Sequence, residues 1–342
     1  MARRKSSRGG KIQPAVQTLS FATATSSPGT TVTSYIDLSQ VASLANRRFY
    51  RQGINWAVAG IKVISLSAGA MNVYKLPNTW VMSNAWEKAF RHWQKMNNEA
   101  LAETESIRPK FLDFKIFADA THHQLGFAAN LMPVAPFGVA TVSGEWAASK
   151  MTVPLATAAN PTAVVDRDII AVGPNYPGVG ASGNDAVSLI EGYAASRGLP
   201  NVLDPNTPQD ADFTDGNQPQ NWLAAVFNDG SEQTGEVIDN MQNDNDIAPY
   251  PFENDGVNVD TMYPGGANQM SGMQWHDSVQ IFSSSGVPGA GVGTQRVKGG
   301  NFPCGLIRLD WQVDEQTANA VIQIDLVPGN HRGYLCEPMT EM

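Results

Sequence analysis

The sequence predicts an all-β chain with long loops and one or two short helices. Three observations carry that expectation. Glycine (31) and proline (21) are plentiful and fall mostly in long irregular stretches, which favours turns and strands. Several short segments are rich in β-branched and aromatic residues, the composition of a pleated, half-buried surface. One segment stands out as carrying apolar residues at helical spacing.

Taken in order, residues 1–30 read as a disordered basic arm and linker. MARRKSSRGGK mixes five cations with Ser and Gly and cannot bury a core, and TATSSPGTT is low-complexity linker. The body is expected over 31–342. TVTSYIDLS predicts a strand, residues 39–47 a short helical turn, and RRFYRQGINWAVAGIKVISLS a long strand carrying Trp56, Val58, Ile61, Val63 and Ile64. WVMSNAWEKAFRHWQKMNNEAL is the clearest helix. Trp86, Phe90, Trp93 and Leu101 fall on one stripe, His92 is a residue of its face, and Asn84 with Glu87 resembles a capping box. KFLDFKIF (110–117), LGFAANLM (125–132) and GVATVSGEW (138–146) predict further strands. A loop-rich insertion is expected at about 174–300. CGLIRLDWQV (304–313) and NAVIQIDLV (319–327) alternate well and read as a hairpin joined by DEQTAN.

Charge is sparse and polarised. Charged residues make up 16% of the chain, against about 25% in an average globular protein. A surface so poor in charge is expected to be polar-uncharged or engaged with other subunits. The net charge is −9, yet residues 1–60 carry eight cations and one acid, Asp37. That is +7, which leaves −16 for the rest. No Lys or Arg occurs between Arg197 and Arg296, a stretch holding 14 acids. Such a surface repels polyphosphate, so nucleic-acid contact is expected at the front of the chain. Arg3, Arg4, Lys5, Arg8 and Lys11 are the arm cations. They are suited to neutralising phosphates without reading sequence. The bland alternative is a solvated tail.

No run of about 18 apolar residues suggests a membrane span, and the basic N-terminus lacks the apolar core of a secretory signal. Two cysteines, Cys304 and Cys336, make neither a disulfide framework nor a zinc site and read as buried thiols. Gly178-Val179-Gly180-Ala181-Ser182-Gly183 is a literal GxGxxG, preceded by an apolar run and followed by a helical stretch, with Asp204 about 20 residues on. A dinucleotide-binding oxidoreductase is therefore the alternative function. Against it, PNYP separates the glycines from the strand, and no further strand–helix alternation follows. Gly180-Ala181-Ser182 also begins a nucleophile elbow that Asn184 breaks. Asp119, His122 and His123 read as a turn with exposed histidines rather than a metal site. DADFTDGN resembles a calcium loop whose glycine is one residue late. Asp244 and Asp246 are weighed as calcium ligands at a subunit interface. No catalytic residue, metal or cofactor is expected.

The arm, the Ser/Thr/Pro/Gly linker, SYIDLS, RRFYRQG leading into a long strand, LPNTWVMSNAWEKAFRHWQKMN and the tail LVPGNHRGYLCEPM occur together. The set resembles capsid proteins of small circular Rep-encoding single-stranded DNA viruses. The resemblance spans most of the chain in layout and rests on these few segments. It implies a single jelly-roll β-sandwich of eight antiparallel strands in two sheets. It further implies icosahedral self-assembly as a homo-oligomer, no enzyme activity and a place in the virion, with the host nucleus as an assembly site. The arm cations would lie inside the shell on single-stranded DNA. The arm is shorter than in many relatives: about 60 copies would neutralise only a few hundred phosphates. Arg47, Arg48 and Arg51 are the cations expected to help from the inner wall; their alternative is pairing with acids such as Asp37. A β-sandwich adhesion or carbohydrate-binding module is a further alternative, and it leaves the basic arm unexplained.

Overall fold

A computed structural model of the chain describes residues 15–102, 106, 113–134, 141–154, 164–175, 178–197, 223, 272–282, 293–314 and 316–341. Along the first half run β1 (Thr18–Ala22), β2 (Thr31–Asp37), α1 (Leu38–Asn46), β3 (Ile54–Ser65), β4 (Gly69–Lys75) and α2 (Trp80–Leu101). Next come α3 (Ala120–Leu125), β5 (Lys150–Pro154), β6 (Val164–Ile170), β7 (Ala186–Ser188) and α4 (Leu189–Arg197). The chain ends with β8 (Gln274–Ile281), β9 (Gly293–Phe302), β10 (Leu306–Val313), β11 (Ala320–Leu326), β12 (Pro328–Gly329), β13 (Gly333–Tyr334) and β14 (Cys336–Pro338).

Two antiparallel sheets enclose one apolar core, and the chain is mostly β. In the first sheet β11 lies between β1 and β3, and β9 and β14 share the other edge of β3. The second sheet runs β2-β10-β4-β8. Alternation drives the packing. β11 buries Ala320, Ile322, Ile324 and Leu326 and turns Val321, Gln323 and Asp325 outward. β3 sends Trp56, Val58, Ile61 and Val63 inward; its phase changes around Ala59–Gly60, beside a register shift in β11. From the second sheet Met71, Val73, Ile307, Leu309, Trp311 and Val313 meet them. Each such side chain, fully buried, contributes roughly 1.5–3 kcal/mol.

Between β4 and β8 the chain leaves the sandwich and builds a lobe. Its described part is a three-stranded sheet, β5-β6-β7, with β6 and β7 parallel, packed with α2 and α4. Trp86, Trp93, Phe114, Ile169, Val187, Leu189 and Tyr193 form its core. Tyr35 and Leu306 of the second sheet, with Leu76 just after β4, belong to the same cluster, so the lobe sits on that sheet's outer face.

Several expectations change. β1 lies inside the segment expected to be linker. TLSFA buries Leu19 and Phe21 against β11, a pattern masked in the sequence by the low-complexity run behind it. The chain leaves the sandwich after Lys75, where the Trp-rich helix begins the lobe; most of the loop-rich insertion expected at about 174–300 lies outside the described residues, and within it β8 and β9 are sandwich strands. The helices exceed "one or two short" ones: four are described, and α2 has 22 residues. The cap of α2 is Thr79, whose hydroxyl accepts from Met82 N, rather than Asn84. β10 and β11 are not a hairpin. They lie in opposite sheets, because the chain crosses the sandwich between them to bury both inner faces. Residues 113–116 carry no strand, and Phe117 makes only an isolated bridge to Ile170. Within 125–132 the chain forms the end of α3 and a 3-10 turn, Phe127–Ala129, since Asp119 caps α3 through His122 N and overrides the weak alternation. Residues 141–146 have no regular structure. Among the described residues no helix is long and apolar enough to cross a membrane.

Candidate nucleic-acid interface

The site is built on α1. Asp37 ends β2 and caps the helix: its Oδ1 accepts from Ser39 N at 2.9 Å and Gln40 N at 3.3 Å. Its Oδ2 accepts from Gln52 Nε2 and from Trp146 Nε1, each at 3.0 Å. Burial pushes the Asp37 carboxyl up to about 7, while the four donors pull the other way. The donors to Asp37 are amide and indole N–H groups, so capping replaces the alternative of pairing with the arginines. The helix ends where Arg47 turns left-handed, at φ 53°, and Arg48 N donates to Ser43 O. That turn presents Arg47 to solvent, with Arg48 and Phe49 half-buried behind it.

Arg47, Arg48 and Phe49 line a cleft of about 290 Å³ with Lys115, Glu145 and Trp146. The Lys115 ammonium lies 4.6 Å from the Trp146 ring centroid and 5.8 Å from that of Phe49. The two rings are 6.4 Å apart and tilted at 52°. Lys115 also meets Asp113 at 3.5 Å. Burial raises the Asp113 carboxyl to about 6, against the pull of Lys115 and Arg51. Three cations and one carboxylate thus share the cleft, an environment that attracts anions.

Of the residues expected to hold nucleic acid, Arg47 and Arg48 come together here. Arg51 is exposed outside the cleft, on the side of Asp113. Arg3, Arg4, Lys5, Arg8 and Lys11 lie outside the described residues, but the chain enters the body beside the cleft. Val16 N donates to Asn46 Oδ1 at 2.9 Å, and Val16 O accepts from Tyr334 OH at 2.6 Å. Asn46 is the last residue of α1, next to Arg47. Lys115 and Trp146 were missed in sequence because both fell in segments read as strands, and only folding brings them to α1. Phe49 carried a local signal, its place inside RRFYRQG.

The other motifs resolve differently. Three amides of the GxGxxG loop are spent on the protein: Gly180 N on Asn184 O, Gly183 N on Gly180 O and Ala181 N on His123 O. A Cβ at Gly180 would lie 2.4 Å from the His123 ring, so this glycine serves helix–loop packing. His122 and His123 are buried on α3, which corrects the exposed turn. His122 Nδ1 accepts from Ala118 N at 3.0 Å and Nε2 lies 2.8 Å from Asn130 Oδ1, the pattern of a neutral ring; burial pushes it down to about 4. His123 Nε2 lies 3.1 Å from Asp168, which also accepts from Ser182. The carboxylate stands between serine and histidine, whereas activating a serine needs the histidine in that place. Among the described residues no three His, Cys, Asp or Glu side chains are grouped to hold a metal ion. Asp204, DADFTDGN, Asp244 and Asp246 lie outside the described residues. Cys304 is buried and Cys336 half-buried; both are free thiols. The chain matches no family model, no curated protein and no solved structure.

Proposed function

We propose that the chain is the coat subunit of a small icosahedral virus, folded as a jelly roll and packaging single-stranded nucleic acid, with DNA the favoured genome. The strand order carries the reading. Counting only the eight main sandwich strands in chain order, the sheets run 1-8-3-6 and 2-7-4-5. That order is the one expected of two nested Greek keys in a jelly roll, and it supports the reading. Jelly rolls also serve lectins and cupins, so the fold alone does not choose. The basic arm and the cationic cleft where it joins the body favour a coat protein over a sugar-binding module.

Surface chemistry fits a shell. Leu66 follows β3 and Phe282 follows β8 at one end of the sandwich, and they are 77% and 70% exposed in the isolated subunit. Apolar groups of this size suit contact with a neighbouring copy. The test is negative-stain microscopy of the purified chain, with particles expected. Deleting residues 1–11 should empty them of nucleic acid and leave assembly largely intact. Leu66→Asp with Phe282→Asp should give smaller species. A wild-type chain that stays monomeric at all concentrations overturns the reading.

A further inference from the structure

We infer that the cleft of Arg47, Arg48 and Lys115 is a nucleotide subsite, in which Trp146 stacks a base, the tilted Phe49 ring borders its edge and the cations meet its phosphate. The inference rests on the proposed coat function and adds contact with bases to contact with charge. Four observations carry it. The cleft, about 290 Å³, is at the lower end of the range for small-ligand sites. Trp146 and the residue carrying the cation over it are held in place. The Trp146 indole is anchored to the buried Asp37, and the Lys115 backbone to Ser149 Oγ at 2.9 Å, so little ordering remains to be done on binding. The Lys115 ammonium already occupies the aromatic faces. A base entering there moves it toward the phosphate of the same nucleotide and keeps its charge paired. The arm, finally, joins the body at this point, where Val16 N donates to Asn46 Oδ1 beside Arg47. Residues 1–14 contain no Phe, Tyr or Trp, so aromatic stacking must come from the body. Single strands are the matching ligand, because their bases are free to stack.

The test uses the full chain and two labelled twelve-mers of equal charge, one of thymidine and one abasic throughout, titrated at several salt concentrations. The thymidine strand should bind about tenfold tighter, the scale of one aromatic–base stack. Phe49→Ala with Trp146→Leu should bring it down to the abasic strand. Trp146→Phe keeps a ring but drops the bond to Asp37; it should retain most of the preference, which separates stacking from a folding defect. Arg47→Ala should weaken both strands and reduce the salt slope by about one. Equal binding of the two strands by the wild type overturns the subsite and leaves the coat reading standing. A preference that survives the double variant also overturns it, and moves the base contact to the exposed Trp275 beside Lys298. If neither strand binds at any salt, the nucleic-acid role itself fails.

Discussion

β11 buries one side and β10 buries both. On β11 the outward residues Val321, Gln323 and Asp325 leave the first sheet with an open face. On β10, Ile307, Leu309, Trp311 and Val313 face the sandwich core, while Leu306 joins the lobe core. On the same face as Leu306, Arg308 bonds Asp310 and Asp119, Asp119 accepts from Tyr35 OH at 2.7 Å, and only Gln312, near the strand's end, is exposed. The second sheet is thus the middle layer of a three-layer body and the first sheet is an outer wall. The sheets differ in what they can lose. A change in the middle layer disturbs two cores, and a change on the open wall disturbs none.

The largest effect should come from Trp311→Ala, which removes a fully buried ring and its bond to Ala318 O. About 3–5 kcal/mol of stability should disappear in urea denaturation. A loss under 1 kcal/mol would break the layered description.

The next test sits where α1 meets the lobe. Asp37 is pushed up to about 7 from its ordinary value near 4, so the folded chain keeps a proton that the unfolded chain releases between about pH 4 and 7. Its contribution to stability therefore falls as pH rises through that window. Asp113, raised to about 6, acts in the same direction. His122 and His92, pushed down by burial to about 4 and about 3, act oppositely: their contribution is complete above the ordinary histidine value and is lost as pH falls. Wild-type stability should be nearly level between about pH 4 and 6.5. Asp37→Asn removes one falling contribution, so the variant should lose about 3 kcal/mol relative to wild type between pH 7 and 4.5. A level urea-midpoint profile for the variant would refute this.

Within the lobe, Gly180→Ala places a methyl against His123. It should cost about 1–3 kcal/mol in thermal melts and leave the sandwich intact. The smallest effect belongs to the open wall, where Arg296 lies directly across from Lys62. Arg296→Glu should be neutral or stabilising by up to about 0.5 kcal/mol, and a clear loss would mean that this face is covered.

Legibility in the sequence follows the same division. β2, β11 and α2 were readable because each carries its pattern in one continuous stretch. The lobe was not: β7 has three residues, all buried, and in β6 the charged run Asp166-Arg167-Asp168 interrupts the apolar pattern, so neither shows an alternation to read. α3 was hidden because a single cap, Asp119, decides it. Half of the cleft was legible, since Arg47, Arg48 and Phe49 are contiguous. Lys115 and Trp146 come from 60 to 100 residues away and gain meaning only from the contacts that Asp37 and Ser149 make with them.

The knot of Val16, Asn46 and Tyr334 fixes where the arm begins. Arg3, the farthest of the arm cations, lies 13 residues before Val16 and so at most about 47 Å from that point. On the proposed function, a strand gripped by the arm stays within that radius of its own subunit's cleft, at an effective concentration on the order of millimolar. A cleft too weak to hold a free nucleotide would then still be filled. Repeated around a shell, the clefts would comb the packaged strand into a pattern set by the protein lattice, whatever its base sequence.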